Sequence, residues 1–180
     1  MLDDPTAFDG KLAHFGSFRG VRNHIALVGP EGLDLDEKCG YYGERLVLFA
    51  QALGLNTCWV ALTFSKKASG AMIEPGQRYA LCIAIGYGET QGTSHKMKPV
   101  EKLCHAAGEM PDWFNAGLTA AQLAPTAMNQ QRFRFDLDPD GATVRARALP
   151  AISCGKVDLG IAKLHFELGA NTVSREWRFA

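Results

Sequence analysis

The chain carries no excess of charge: 19 Lys and Arg balance 19 Asp and Glu, and the formal net charge is zero. That removes the electrostatic ground for binding nucleic acid or an anionic membrane. No apolar run approaches the ~20 residues needed to span a bilayer. The N-terminus, Met-Leu-Asp-Asp-Pro, is acidic and lacks the basic and apolar regions of a secretory signal, so a cytoplasmic protein is expected. The five cysteines (Cys39, Cys58, Cys82, Cys104, Cys154) include no Cys-x-x-Cys pair and no Cys/His cluster at zinc spacing. Their odd number argues against a complete disulfide framework, and all five are expected to be reduced and structural. His14, His24, His95, His105 and His165 are scattered without metal-ligand spacing, so no metal site is expected. No nucleophile–base pair is visible, so no catalytic residue is assigned. Internal repeats, low-complexity segments and linkers are absent as well, and residues 1–180 are expected to form a single domain.

What is present is the composition of a globular protein, 47% hydrophobic and 21% charged. Residues 1–22 show no sustained period and suggest a loop or short helix leading into a strand. His24 to Val28 is a short apolar run stopped by Gly29-Pro30, the pattern of a buried strand. Residues 36–53 form the longest helical candidate, with Gly54 as its C-terminal cap. Its second half (Leu46, Val47, Leu48, Phe49, Ala50, Leu53) is apolar nearly all round, which predicts burial in a core or a subunit interface. Thr57 to Thr63 and Arg78 to Tyr87 predict two further strands, the second central in its sheet. Ser65 to Ser69 is a polar, Lys-containing stretch, and residues 89–99 are a polar loop. A weak helix is expected at about 100–107, and another from Pro111 to Leu123. Asp138-Pro-Asp-Gly between Arg132–Leu137 and Ala142–Ala148 predicts a hairpin. Val157 to Ala170 has the spacing of an amphipathic helix with Asp158 in its first turn, and Glu176 to Phe179 suggests a terminal strand. Interleaved elements without a steady βαβ rhythm favour an α+β fold, a mixed sheet with helices packed on it.

Three constellations stand out. Ala124-Pro-Thr-Ala-Met-Asn-Gln-Gln-Arg-Phe places a Pro, a hydroxyl and three side-chain amides in one short turn. Amides offer a donor beside an acceptor, the alternation found on the pyrimidine edge of a flavin; they are equally at home at a helix N-terminus capped by Thr126. His95-Lys96-Met97-Lys98 puts two lysines where one phosphate could sit between them, or is simply a solvated basic loop. Trp59 to Thr63 could turn backbone donors and acceptors toward a ring edge, or serve as a buried core strand. Gly86-Tyr-Gly-Glu follows a strand but lacks the third glycine and the immediate helix of a dinucleotide fingerprint. Glu44 and Arg45 are expected to form a helix-surface ion pair, and His165 to be a partly buried packing residue. Neutral polar groups beside a phosphate cradle, without an acid–base team, fit an enzyme whose reactive chemistry belongs to a cofactor.

Taken together these motifs resemble the nitroreductase family. Gly40-Tyr-Tyr-Gly-Glu-Arg-Leu through Val60 is similar to its long central helix and following strand, and Ile83 to Glu89 to its next strand. Ala124 to Phe133 is similar to its Ala-Pro-Ser-x-x-Asn-x-Gln-Pro-Trp flavin motif, and Asp158 to Glu167 to a late helix of the TM nitroreductase branch. The motif order, amide turn after central helix, also matches that branch. The resemblance implies an α+β sandwich, a mixed and mainly antiparallel sheet between helices with a long buried central helix. It implies an FMN-dependent NAD(P)H oxidoreductase, using NADH or NADPH, that passes electrons to a nitroaromatic, quinone or enone acceptor. It further implies a homodimer formed through the long helix, with no nucleic-acid or membrane partner. Carried over, Pro125, Thr126, Asn129 and Gln130 would contact flavin, Lys96 and Lys98 its phosphate, and Val60, Ala61, Leu62 and Thr63 would pass near the ring. One departure is evident: family members begin with an Arg-Arg-Ser-x-Arg segment for which Phe18-Arg19-Gly20-Val21-Arg22 is a poor substitute, as though an N-terminal section were absent. The alternative is a non-catalytic relative that keeps the fold and binds ligand or partner at a degraded flavin site.

Overall fold

A computed structural model of the protein describes residues 1–3, 5–8, 20–65, 69–106 and 108–180. The Phe18-Arg19 half of the Arg-containing segment, and Lys66 and Lys67 of the polar stretch, lie outside the described residues. No helix among the described residues is long and apolar enough to cross a membrane. The chain divides into two compact units, one of residues 1–35 and 45–92, the other of residues 36–44 and 93–180.

The first unit is built on an antiparallel four-stranded sheet in the order β1-β2-β4-β3. Its strands are β1 (Leu2–Asp3), β2 (Asn23–Pro30), β3 (Asn56–Val60) and β4 (Gln77–Gly86). The near-continuous apolar character of β4 suits its central place, with Cys82 and Ile83 fully buried. Val60, Tyr79, Cys82 and Ala84 form the core of this unit with Ala7 and Phe8. The strand predicted over Thr57 to Thr63 stops at Val60, and residues 61–64 bend away. Cys58, expected as a small buried hydrophobe, is exposed, whereas Cys82 is buried; all five cysteines are free.

In the second unit β5 (Cys104–Ala106), β6 (Phe133–Leu137), β7 (Thr143–Ala148) and β8 (Arg178–Phe179) form a mixed sheet in chain order. The hairpin joins β6 to β7 as the sequence predicts, and Gly141 takes the left-handed conformation its turn requires (φ 67). Asp140 ties the turn down, accepting from the Thr143 N–H (2.8 Å) and hydroxyl (2.7 Å). The expected helix at 100–107 is instead a single turn at Val100–Lys102 followed by β5, where parallel pairing with β6 overrides a weak local preference. Helix α2 (Asp112–Ala121) and helix α3 (Gly155–Ala170) pack on one another through an aromatic core. There Phe166 stacks on Phe135 (4.6 Å between centroids) and meets Phe114 edge-on.

Helix α1 (Leu35–Ala52) gives its first half to the second unit. At Gly40 a Cβ would strike the backbone carbonyl of Val157 on α3, and at Gly160 one would strike the carbonyl of Glu37. The two glycines therefore let the α1 and α3 backbones touch. Around that contact Glu37 pairs with Lys163 (2.7 Å), Glu44 with His165 (2.8 Å), and the Tyr41 hydroxyl donates to Glu167. Glu44, expected at the surface beside Arg45, is 1% exposed and turns inward to His165. A buried carboxylate needs a partner, and Arg45 on the adjacent face cannot supply one. The second half of α1 departs from the expected all-round burial. Leu46 and Phe49, with Leu53 just past the helix end, share one helical stripe and are 42%, 63% and 59% exposed.

Candidate functional site

The amide turn begins where α2 ends. Ala124 is fully buried, Thr126 is extended (φ −129, ψ 151), and a single 3-10 turn follows over Ala127–Asn129. Met128, Asn129 and Gln131 all adopt left-handed backbone, with φ of 54, 52 and 46. For non-glycine residues each costs roughly 1–3 kcal/mol, so the surroundings must hold the turn. Thr126 does not cap as expected. Its hydroxyl accepts instead from the Gln131 N–H across the turn (3.0 Å). Asp158, buried in the first turn of α3, accepts from the Ala127 N–H (3.0 Å). Burial pushes its carboxyl up to about 6, partly offset by that hydrogen bond.

Gln131 is the hub. Its amide nitrogen donates to the Lys96 carbonyl (2.8 Å) and to Asn129 Oδ1 (2.6 Å), while its Oε1 accepts from the Lys98 N–H (2.8 Å). Asn129 also donates to the Lys96 carbonyl (3.0 Å), and Gln122 to the Lys98 carbonyl (2.7 Å). Gln130 Nε2 donates to the Ala127 carbonyl (3.0 Å), and its Oε1 accepts from the Ile152 N–H (2.8 Å). The basic loop and the amide turn, about thirty residues apart in sequence, are thus one hydrogen-bonded assembly. The amide side chains face inward as much as outward. Asn129 and Gln130 each commit one of their two N–H groups, and Gln131 commits both.

The Lys98 ammonium donates to the Gln130 and Gln131 carbonyls (2.6 and 3.1 Å). It borders a notch of about 490 Å³ shared with Gln130, Arg132, Pro150, Ala151 and Ile152, a lining without a carboxylate. Arg132 Nε donates to the Pro150 carbonyl (2.8 Å), which fixes the guanidinium at the same notch. Desolvation lowers the Lys98 pKa, and the charges of Arg132 and then Lys102 lower it further. Two cations held together without an anion form a place where an anion is favoured.

Of the residues expected from sequence, Pro125, Thr126, Asn129, Gln130, Lys96 and Lys98 lie in this assembly; Lys96 joins it through its carbonyl and its side chain is exposed. Val60, Ala61, Leu62 and Thr63 belong to the first unit. Val60 is 2% exposed and paired with Cys82, so its side chain serves the core; Ala61, Leu62 and Thr63 lie in the bend beyond the strand, with Leu62 fully turned to solvent. Sequence reasoning missed Gln131, Arg132 and Asp158. The first two lie inside the quoted motif but were assigned no contact, and Asp158 interrupts the apolar run Val157 to Ile161, which was the available signal. A wider groove of about 710 Å³ at one end of the first sheet includes Asn23, Asn56 and Tyr87, but Asn56 uses its carbonyl to clip the Gly88 N–H (2.9 Å). Among the described residues no cluster of His, Cys, Asp or Glu is suited to a metal ion.

The α+β arrangement of these helices and sheets is that of the nitroreductase fold. The chain belongs to the family described as putative TM nitroreductase, whose model matches residues 1–170. The fold is similar to that of a crystal structure described as a putative nitroreductase from Thermotoga maritima, with a TM-score of 0.63 at 23% identity. The likeness covers 86% of this chain, which spans 63% of the length of that one. No curated protein sequence matches the chain.

Proposed function

We propose that the protein is an FMN-dependent oxidoreductase that takes hydride from NADH or NADPH and passes electrons to a small nitroaromatic, quinone or enone acceptor. One observation carries this reading: a strained amide turn fastened to a basic loop, next to a cation pair without a counter-ion among the described residues. FMN has an end for each part. Lys98 and Arg132 would hold the phosphate, each with N–H groups beyond those already bonded. The uncommitted N–H groups of Asn129 and Gln130, with the Thr126 hydroxyl, would meet the acceptors of the ring. Bound flavin supplies the two-electron redox chemistry; the chain's residues bind, orient and tune it. Arg132 would supply part of the phosphate grip that the family's early Arg segment gives elsewhere.

The reading includes a second copy of the chain. The apolar stripe Leu46, Phe49 and Leu53, with the exposed Arg45 at its edge, would be covered by its own copy across a two-fold axis.

Titrating the flavin-free protein with FMN and with riboflavin tests the phosphate end. Arg132→Ala should weaken FMN by roughly ten- to a hundred-fold, the size of one charged hydrogen bond, and leave riboflavin unchanged; Lys98→Ala, which also releases the Gln130 and Gln131 carbonyls, should weaken both ligands but FMN more. Equal losses for both ligands would remove the notch from the cofactor site. The inward commitment of Asn129, Gln130 and Gln131 favours one other reading, a non-catalytic relative that binds ligand without turnover. Flavin uptake without NAD(P)H oxidation in the presence of a quinone would favour that relative.

A further inference from the structure

Asp158 stands outside every role described so far. Its carboxyl is 2% exposed, and Oδ2 is buried without a hydrogen-bond partner. Leaving a buried carboxyl oxygen unpaired is costly, and a core position could be filled by Leu or Asn instead. The place of Asp158 in the first turn of α3 does not explain where its oxygens go: the Asp158 N–H is bonded to the Cys154 carbonyl (2.8 Å), while its Oδ1 points away from α3 to the Ala127 N–H. That N–H opens the strained segment in which Met128, Asn129 and Gln131 are left-handed. The backbone bearing Asp158 is itself fixed, because Gly160 and Val157 on the same turn of helix lie against the α1 backbone at Glu37 and Gly40. A rigid helix end therefore presents one acceptor to the first N–H of a turn whose own backbone preferences oppose its shape.

We propose that Asp158 is the positioning residue of this site: by accepting the Ala127 N–H it holds the 126–131 turn in the left-handed form that presents Asn129 and Gln130 to the flavin. The proposal rests on the flavin reading for the ligand, but the latch itself belongs to the free protein. With the latch released, the turn relaxes toward ordinary backbone angles. Gln131 then leaves the Lys96 carbonyl and the Lys98 N–H, and the basic loop loses its register with the turn. Asp158 touches neither ligand nor reacting atoms and acts through Ala127.

Three variants separate this role from packing. Asp158→Asn keeps an acceptor oxygen, Asp158→Ala deletes it, and Asp158→Leu deletes it while filling the space. Amide hydrogen exchange of the flavin-free proteins gives the first readout. Residues 127 and 129–131 should exchange roughly ten- to a hundred-fold faster in the Ala and Leu variants, the size of one lost charged hydrogen bond, and much closer to the native rate in Asn. Amides of α3 and of the β6–β7 hairpin should be unchanged, and the Leu variant should be at least as stable to urea as the native protein. FMN affinity should follow the same order, native and Asn above Ala and Leu. Should the Ala variant fail to fold, the Asn–Leu contrast still decides. Unchanged turn exchange in Leu, an Asn variant as impaired as Leu, or acceleration spread evenly over the whole unit would each overturn the proposal. If the native protein takes up no FMN, the exchange pattern still tests the latch, and only the flavin reading falls.

Discussion

Asp158 also sets a dependence on pH whose sign follows from its burial. Its carboxyl is held at about 6 in the fold, above the ~3.9 of an unfolded chain. Between those values the folded protein binds the proton that the unfolded chain has released, so this group's contribution to stability falls as pH rises from about 4 to about 6 and is flat above. Asp158→Asn removes the titration. The urea midpoint of the variant should therefore gain on that of the native protein across that range; parallel profiles would show that the carboxyl does not titrate there. Asp140 runs the other way: its hydrogen bonds from the Thr143 hydroxyl and the Ala142 and Thr143 amides hold it at about 2, so the help it gives the hairpin is present above ~4 and lost as pH falls toward 2. At this scale the sequence anticipated which side chains would gather. Thr126, Asn129, Gln130, Lys96 and Lys98 do come together. It did not reveal which amide was the hub, because the bonds from Gln131 to Lys96 and Lys98 span more than thirty residues and no local periodicity encodes them.

Among the elements, α1 carries two separable devices. Its first half depends on the absence of a side chain. Gly40→Ala should push the Val157 carbonyl away, separate α1 from α3 and cost about 1–3 kcal/mol or more, measured by urea unfolding. A change within a few tenths of a kcal/mol would mean that the helices shift freely. Its second half depends on the stripe. Phe49→Lys with Leu46→Lys should leave the fold intact, since both side chains lie outward, and should halve the mass seen by analytical ultracentrifugation. A native protein that sediments as a monomer would contradict the second copy. The helix limits and the hairpin were legible because periodicity and turn chemistry are local signals. The end of β3 was not: Ala61, Leu62 and Thr63 have strand-like character, yet pairing with β4 stops at Val60, opposite Cys82, although β4 itself continues to Gln77. Nor was the fate of residues 100–107, where pairing with β6 decided the outcome.

For the molecule as a whole, fold class was readable in the order of its elements and in the joint recurrence of family motifs, and the family match bears it out. The division of the described strands into two sheets was not, since strand partners depend on pairings across the chain. We propose for the whole molecule that the laced turn and the Lys98–Arg132 notch take FMN for use in electron transfer. The direct test is to load the purified protein with FMN, remove unbound flavin, and follow the visible flavin band without oxygen as NADH or NADPH is added. Retained flavin that bleaches with reduced nicotinamide and recovers its colour when a quinone is supplied is the predicted result. Protein that retains no flavin after loading, or flavin that stays oxidised with both nicotinamides, would contradict it.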